Sequence, residues 1–201
     1  AARVLLELIA TAGTRESKRG SLIGEAAPAL PDTMAGADLT PRHLTTDQSN
    51  TALVYGDALF LKIYRRFEAG ENPDLEIVRH LAGAGFTNVA PFAGSIAYRS
   101  PGQPPGAVAM LQRFVANEIN GWEHAIDELQ LFFDRVDTVV RPPEAPARDA
   151  AAPPASITDA IGAYLAAARR LGTRTAQMHV ALATPNGSAA FAPEPLTQDR
   201  L

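Results

Sequence analysis

Apolar positions are irregular ahead of residue 40 and periodic after it. Residues 4–10 form an apolar segment, residues 13–20 a polar turn and residues 21–24 a short strand candidate, and Pro28 and Pro31 mark a loop. From Leu44 the pattern sharpens. Gln48-Ser49-Asn50-Thr51 leads into Ala52-Leu53-Val54-Tyr55, a Gly56-Asp57 turn, and the apolar run from Leu59 to Tyr64. Two such runs around a tight glycine turn predict an antiparallel hairpin. Alternation along its second strand places Lys62 on the face of Phe60 and Tyr64, opposite Leu59, Leu61 and Ile63. The alternation by itself leaves open which of the two faces meets the core.

Asn72-Pro73-Asp74-Leu75-Glu76 is a helix start: Asn as N-cap, Pro at the first helical position, and acids where the helix dipole favours them. Leu75, Val78, Leu81 and Ala82 follow at helical spacing, and Gly83 and Gly85 stop the run. Glu76 stands three and four residues before Arg79 and His80, the spacing of a surface ion pair. Strands are expected at residues 92–99 and 107–115, joined by a turn-rich Pro/Gly segment. Trp122, Ile126, Leu129, Phe133 and Val136 then mark an amphipathic helix. Residues 141–155, rich in proline and small residues, read as a flexible linker. Ser156-Ile157-Thr158-Asp159 looks like the cap of one long helix running to about Leu182.

Composition narrows the function. The 201 residues carry 18 Lys+Arg against 22 Asp+Glu, a formal charge of -4, so no broad basic face is available and nucleic acid is not an expected partner. No apolar run is long enough to cross a bilayer and no basic segment is followed by an apolar one in the manner of an export signal, which predicts a soluble cytoplasmic protein without a membrane partner. The absence of cysteine excludes disulfides, thiolate metal sites and a cysteine nucleophile. Sixteen of the 18 cations are Arg; Lys18 and Lys62 are the only lysines. Lys62 interrupts an apolar strand, where it is either a snorkelling edge residue or a point charge in a narrow cleft.

The remaining candidates are weaker. His43, His80, His124 and His179 are scattered without metal-ligand spacing, and His179 is expected to cap or pack in its helix. Trp122 is expected to be a core anchor rather than a sugar platform. Arg65-Arg66 reads as a solvated rim. Three strands, a helix, two strands, a polar hinge and further helices, with a lysine on the third strand and a glutamate in the next helix, is the order of a kinase amino-terminal lobe. In such a lobe the lysine holds the phosphates of a nucleotide and the glutamate fixes the lysine.

Gln48-Ser49-Asn50-Thr51, Val54-Tyr55-Gly56-Asp57, Leu61-Lys62-Ile63-Tyr64-Arg65-Arg66, Asn72-Pro73-Asp74-Leu75-Glu76-Ile77, Asn88-Val89-Ala90-Pro91, Leu111-Gln112-Arg113-Phe114-Val115 and Leu171-Gly172-Thr173-Arg174-Thr175-Ala176-Gln177-Met178-His179 together resemble the maltokinases of the aminoglycoside-phosphotransferase-like superfamily, in the form fused behind trehalose synthase. The resemblance implies an α+β chain. Residues 1–40 would be an amino-terminal cap, 41–116 a kinase-like nucleotide-binding lobe of antiparallel sheet plus helix, and 117–201 the first helices of a truncated helical lobe. It further implies that Lys62 contacts phosphates, that Glu76 positions Lys62, and that Gln48, Ser49, Asn50 and Thr51 line the phosphate end. Gln112, Phe114 and Val115 would belong to the hinge that pairs with adenine. ATP and Mg2+ are the implied cofactors, with the metal ligands expected beyond residue 201. Maltose, giving maltose 1-phosphate, is the implied acceptor, and a trehalose synthase domain, fused or separate, the implied partner. No catalytic loop of the family's His-Gly-Asp type occurs before Leu201, so the 201 residues are expected to be inactive alone. The alternative is a non-catalytic kinase-like module that docks on trehalose synthase.

Overall fold

The computed structural model describes residues 1–44, 50–137, 155–184 and 189–194, with the side chains of residues 137, 156 and 157 left aside. The described residues divide into two compact units, Ala1–Ala116 with the segment from Met178 onward, and Asn117–Gln177. No described helix is long and apolar enough to cross a membrane.

The first unit is built on a seven-stranded antiparallel sheet. Its strands are β1 (Thr14–Ser17), β2 (Gly20–Ala26), β3 (Pro41–Leu44), β4 (Asn50–Tyr55), β5 (Leu59–Tyr64), β6 (Phe92–Arg99) and β7 (Gly106–Arg113), in the order β1-β2-β6-β7-β5-β4-β3. The residues ahead of position 40 therefore extend the sheet as well as cap it, since β2 pairs along β6 from Ser21↔Arg99 to Ala26↔Gly94. Helix α1 (Ala2–Ala10) covers one face, the short helix α2 (Leu30–Met34) follows β2, and α3 (Pro73–Gly83) covers the other face. Loop expectations around Pro31 give way to α2, which uses Pro31 near its first position where a missing N–H costs nothing.

Alternation now acquires its direction. Leu53, Tyr55, Leu59, Leu61, Ala109 and Leu111 point with Leu6, Leu8 and Ile9 of α1 into the larger core. Leu75 and Val78 of α3 pack on Ala107 and Met110, with Tyr64 and Phe92 half-buried beside them, on the opposite face. Tyr55 is fully buried, and its hydroxyl donates to the Ala2 carbonyl at 2.7 Å, tying the start of α1 to β4. Gly56 turns the hairpin with φ +52°, and a Cβ there would stand 1.9 Å from the Asp38 carbonyl oxygen, so both backbone conformation and close approach demand glycine.

In the second unit, α4 (Gly121–Asp137) starts on a reciprocal cap. Asn120 accepts from the Glu123 N–H at 2.9 Å, while the Glu123 carboxylate accepts from the Asn120 N–H at 3.2 Å. Trp122, expected in a core, is 75% exposed, and Ile126, Leu129 and Phe133 are exposed with it. The expected single helix after the linker is two, α5 (Ala155–Ile161) and α6 (Tyr164–Leu182). Gly162, at φ +65°, breaks it, and Arg135 donates to the Ala160 carbonyl thus freed at 3.0 Å. Of the expected linker, residues 141–154 lie outside the described residues, and Ala155 is helical.

Candidate functional site

The α3 face of the sheet carries the candidate chemistry. Lys62 sits mid-strand in β5, opposite Ala52 of β4 and Met110 of β7, which share its face. Its ammonium lies 2.5 Å from Asp74 Oδ2, with side-chain exposures of 27% and 41%. Tyr64, the next residue on this face, donates its hydroxyl to the same oxygen at 3.0 Å, and the Lys62 ammonium stands 5.7 Å from the Tyr64 ring centre. Burial first, and the Asp74 charge and hydrogen bond after it, push the Tyr64 hydroxyl well above its ordinary value. It remains a protonated donor at neutral pH.

Asp74 is presented by a well-made helix start. Asn72 accepts from the Asp74 and Leu75 N–H groups at 3.1 and 3.3 Å, Pro73 takes the first helical position, and Leu75 anchors the turn on the sheet. The strand lysine is thus joined to an acid of the following helix, but the acid is Asp74 and not Glu76. At roughly 100° per residue, Leu75, Val78, Leu81 and Ala82 define a stripe from whose centre Asp74 lies about 50° away and Glu76 about 150° away. Glu76 is half-buried and pairs with none of Lys62, Arg79 or His80. Arg79 pairs with Glu25 of β2 instead, and His80, buried, hydrogen-bonds the Ala181 carbonyl at 3.2 Å and stacks on Phe191.

The other expected residues are only partly brought together. Asn50 opposes Tyr64 and shares its face, and its carbonyl accepts from Arg65 at 3.2 Å. Thr51 opposes Ile63, on the α1 face away from Lys62. Gln48 and Ser49 lie outside the described residues. Gln112 lies on the Lys62 face, opposite Phe60, with its side-chain amide donating to the Ala90 carbonyl at 3.1 Å. Two backbone donors of the expected hinge segment are already engaged. The Arg113 N–H is bonded to the Pro91 carbonyl and the Phe114 N–H to the Ala58 carbonyl, at 2.9 and 2.8 Å, so neither is left to donate to a base. Val115 follows them, 57% exposed. Among the described residues no three His, Asp or Glu side chains stand close enough together to hold a metal ion.

The fold has counterparts among solved structures. A glucosamine kinase in complex with glucosamine, ADP and inorganic phosphate matches 90% of this chain with a TM-score of 0.57 at 21% identity. The described fold is similar to that of about a third of a glucosamine kinase. Two further glucosamine kinase crystal forms match with TM-scores of 0.55 and 0.52 at 22% and 21% identity, again over 90% of the chain. In sequence, the chain is similar to the glucosamine kinase of Mycolicibacterium smegmatis, 26% identical over 85 residues, which is 42% of this chain and 21% of that protein. No family model matches. The chain spans about a third of the length of the glucosamine kinase structures it matches.

Proposed function

We propose that this chain supplies the nucleotide-binding part of an ATP-dependent sugar kinase. The observation that carries the reading is the Lys62–Asp74 ion pair, a lysine on a central strand held by an acid of the helix packed over it. Phosphoryl transfer is governed by positioning and charge stabilisation, and such a lysine binds the phosphates only when an anion fixes its rotamer. Asp74 does this here, and the protonated Tyr64 hydroxyl adds a second hydrogen bond to the same carboxylate oxygen, so that Asp74 is itself held. Asn50 and Gln48 with Ser49 stand in sequence where the phosphate end would be covered. Adenine would be met beyond Phe114, at Val115, because the two preceding N–H groups are taken.

A divalent cation such as Mg2+ neutralises the β- and γ-phosphate oxygens in reactions of this class. The described residues do not offer a ligand set for it, and no step is assigned to it here. Two acceptors have support of different kinds. Glucosamine follows from the relatives matched in sequence and fold; maltose, with trehalose synthase as partner, follows from the motif resemblance alone. Glucosamine is accordingly the first acceptor to try.

Titration of the chain with a fluorescent ATP analogue tests the nucleotide assignment. Saturable binding that Lys62→Ala abolishes is expected, and equal curves for the two proteins would refute it. Phosphate transfer from ATP in the longest available form of the protein, offered glucosamine or maltose, decides the acceptor.

A further inference from the structure

Helix α3 has a shallow apolar seat. Against the sheet its buried contact is Leu75 and Val78 on Ala107 and Met110, whereas the α1 face buries twelve residues in one cluster; His80 and Leu81 of α3 are buried as well. A helix seated on so few contacts depends on its polar ties to stay in place. Asp74 makes one tie, to Lys62 and Tyr64 on β5. Arg79 makes the second tie to the sheet, on the far side of the helix, while His80 ties the helix to Ala181 and Phe191. The Arg79 guanidinium is ion-paired with Glu25 of β2 and donates to the Ser95 hydroxyl of β6 at 3.1 Å, and its carbon lies 5.2 Å from the centre of the Phe92 ring. Ser95, 3% exposed, in turn donates to the same Glu25 oxygen at 2.9 Å.

The geometry has a consequence for the site. Asp74 and Arg79 are five residues apart, about 7.5 Å along the axis and roughly 140° around it. On the sheet side, a single tie lets the near edge of the helix roll about that point, while two ties so placed hold that side at both ends. In the sheet order β2-β6-β7-β5, they grip β2 and β6 on one side and β5 on the other. Beside the Arg79 tie lies a cavity of about 180 Å³ lined by Glu25, Glu71, Asn72, Arg79 and Ser95 among others, so packing does not hold the helix there.

We infer that Glu25, on the strand contributed by the amino-terminal region, is a positioning residue for the nucleotide site. It acts through Arg79 to hold α3 where Asp74 meets Lys62. The inference rests on the nucleotide-binding reading above, and the experiment separates the two. Analogue affinity and amide hydrogen exchange along α3 are measured for the wild-type chain, Glu25→Gln, and the exchanged pair Glu25→Arg with Arg79→Glu. Glu25→Gln is expected to weaken binding about two- to fivefold, the scale of a partly exposed ion pair. It should also raise exchange in α3 while β4 and β5 stay protected, and the exchanged pair should recover both. Unaltered α3 exchange in Glu25→Gln would overturn the tie. Raised exchange with unaltered affinity would overturn the positioning role. A wild-type chain that binds no analogue, with the α3 exchange response intact, would overturn the nucleotide reading and the positioning role while leaving the tie itself supported.

Discussion

Replacing Asp74 separates this site from the one expected for a strand lysine paired with Glu76. Asp74→Asn removes the charge 2.5 Å from the Lys62 ammonium while leaving an oxygen for the Tyr64 hydroxyl. A hydrogen bond to a charged group is worth about 1.5–3 kcal/mol when buried. Asp74 is 41% exposed, so screening brings the pair toward the surface range, and about 1 kcal/mol is the reasonable figure. If that energy is what holds the ammonium ready for phosphates, its loss appears as about fivefold weaker nucleotide binding. Glu76→Gln, on the flank away from the apolar stripe, should change affinity by less than about twofold. The assay is titration with a fluorescent ATP analogue, with urea unfolding of each variant to hold stability in view. Wild-type affinity in Asp74→Asn alongside a marked loss in Glu76→Gln would refute the assignment and return the role to Glu76.

Three further substitutions probe the fold. Burial raises the Tyr55 hydroxyl from 10.0 to about 12; between those values the unfolded chain has lost this proton and the folded chain keeps it, so stability falls as pH rises. Tyr55→Phe should cost about 1 kcal/mol at neutral pH through the lost bond to Ala2 and should lose less than wild type between pH 10 and 12, as urea midpoints across that range will show. Gly56→Ala should destabilise the first unit by at least about 2 kcal/mol, because it adds a left-handed strain to a clash with the Asp38 carbonyl, measured by thermal unfolding. Gly162→Ala adds the strain of φ +65° and meets the Arg135 guanidinium nitrogen at 2.5 Å, pushing it off the Ala160 carbonyl, so a cost of about 1–2 kcal/mol is expected and the α4 and α5 amides should exchange faster.

Local chemistry made much of the first unit legible. The Asn72-Pro73 start of α3, the Gly56 hairpin and the period-two run in β5 each carry their own signal, and all three form as that signal requires. The amino-terminal strands were harder to read because β1 is wholly exposed and β2 is only half-buried along most of its length, so neither alternates cleanly. The pairing of β2 with β6, and of β1 with β2, is a tertiary fact. Gly162 was a visible signal within an otherwise helical pattern, outweighed by the helical spacing on both sides of it. The Asn120/Glu123 cap was equally visible. At the site, the choice between Asp74 and Glu76 was decidable from the helical wheel, since only Asp74 flanks the stripe that must face the sheet. The occupied N–H groups of Arg113 and Phe114 were not decidable, because they depend on where Pro91 and Ala58 lie in space.

Lys62 and Arg79, both on the α3 face, differ in what their positions require of a cation. Arg79 has to reach a carboxylate on β2 and a hydroxyl on β6 while lying near the Phe92 ring, and a planar guanidinium with several donors does all three at once. Lys62 stands where its neighbours across the sheet are Ala52 and Met110, both buried, and its one strong partner is a single oxygen shared with Tyr64. A fork placed there would compete with the Tyr64 hydroxyl for Asp74 and would turn its remaining donors toward apolar neighbours. A compact ammonium keeps the shared oxygen and still has donors left for an incoming phosphate. In a chain with sixteen arginines, lysine at this strand position is thus the residue whose geometry suits both the resting ion pair and the anion the site is proposed to bind.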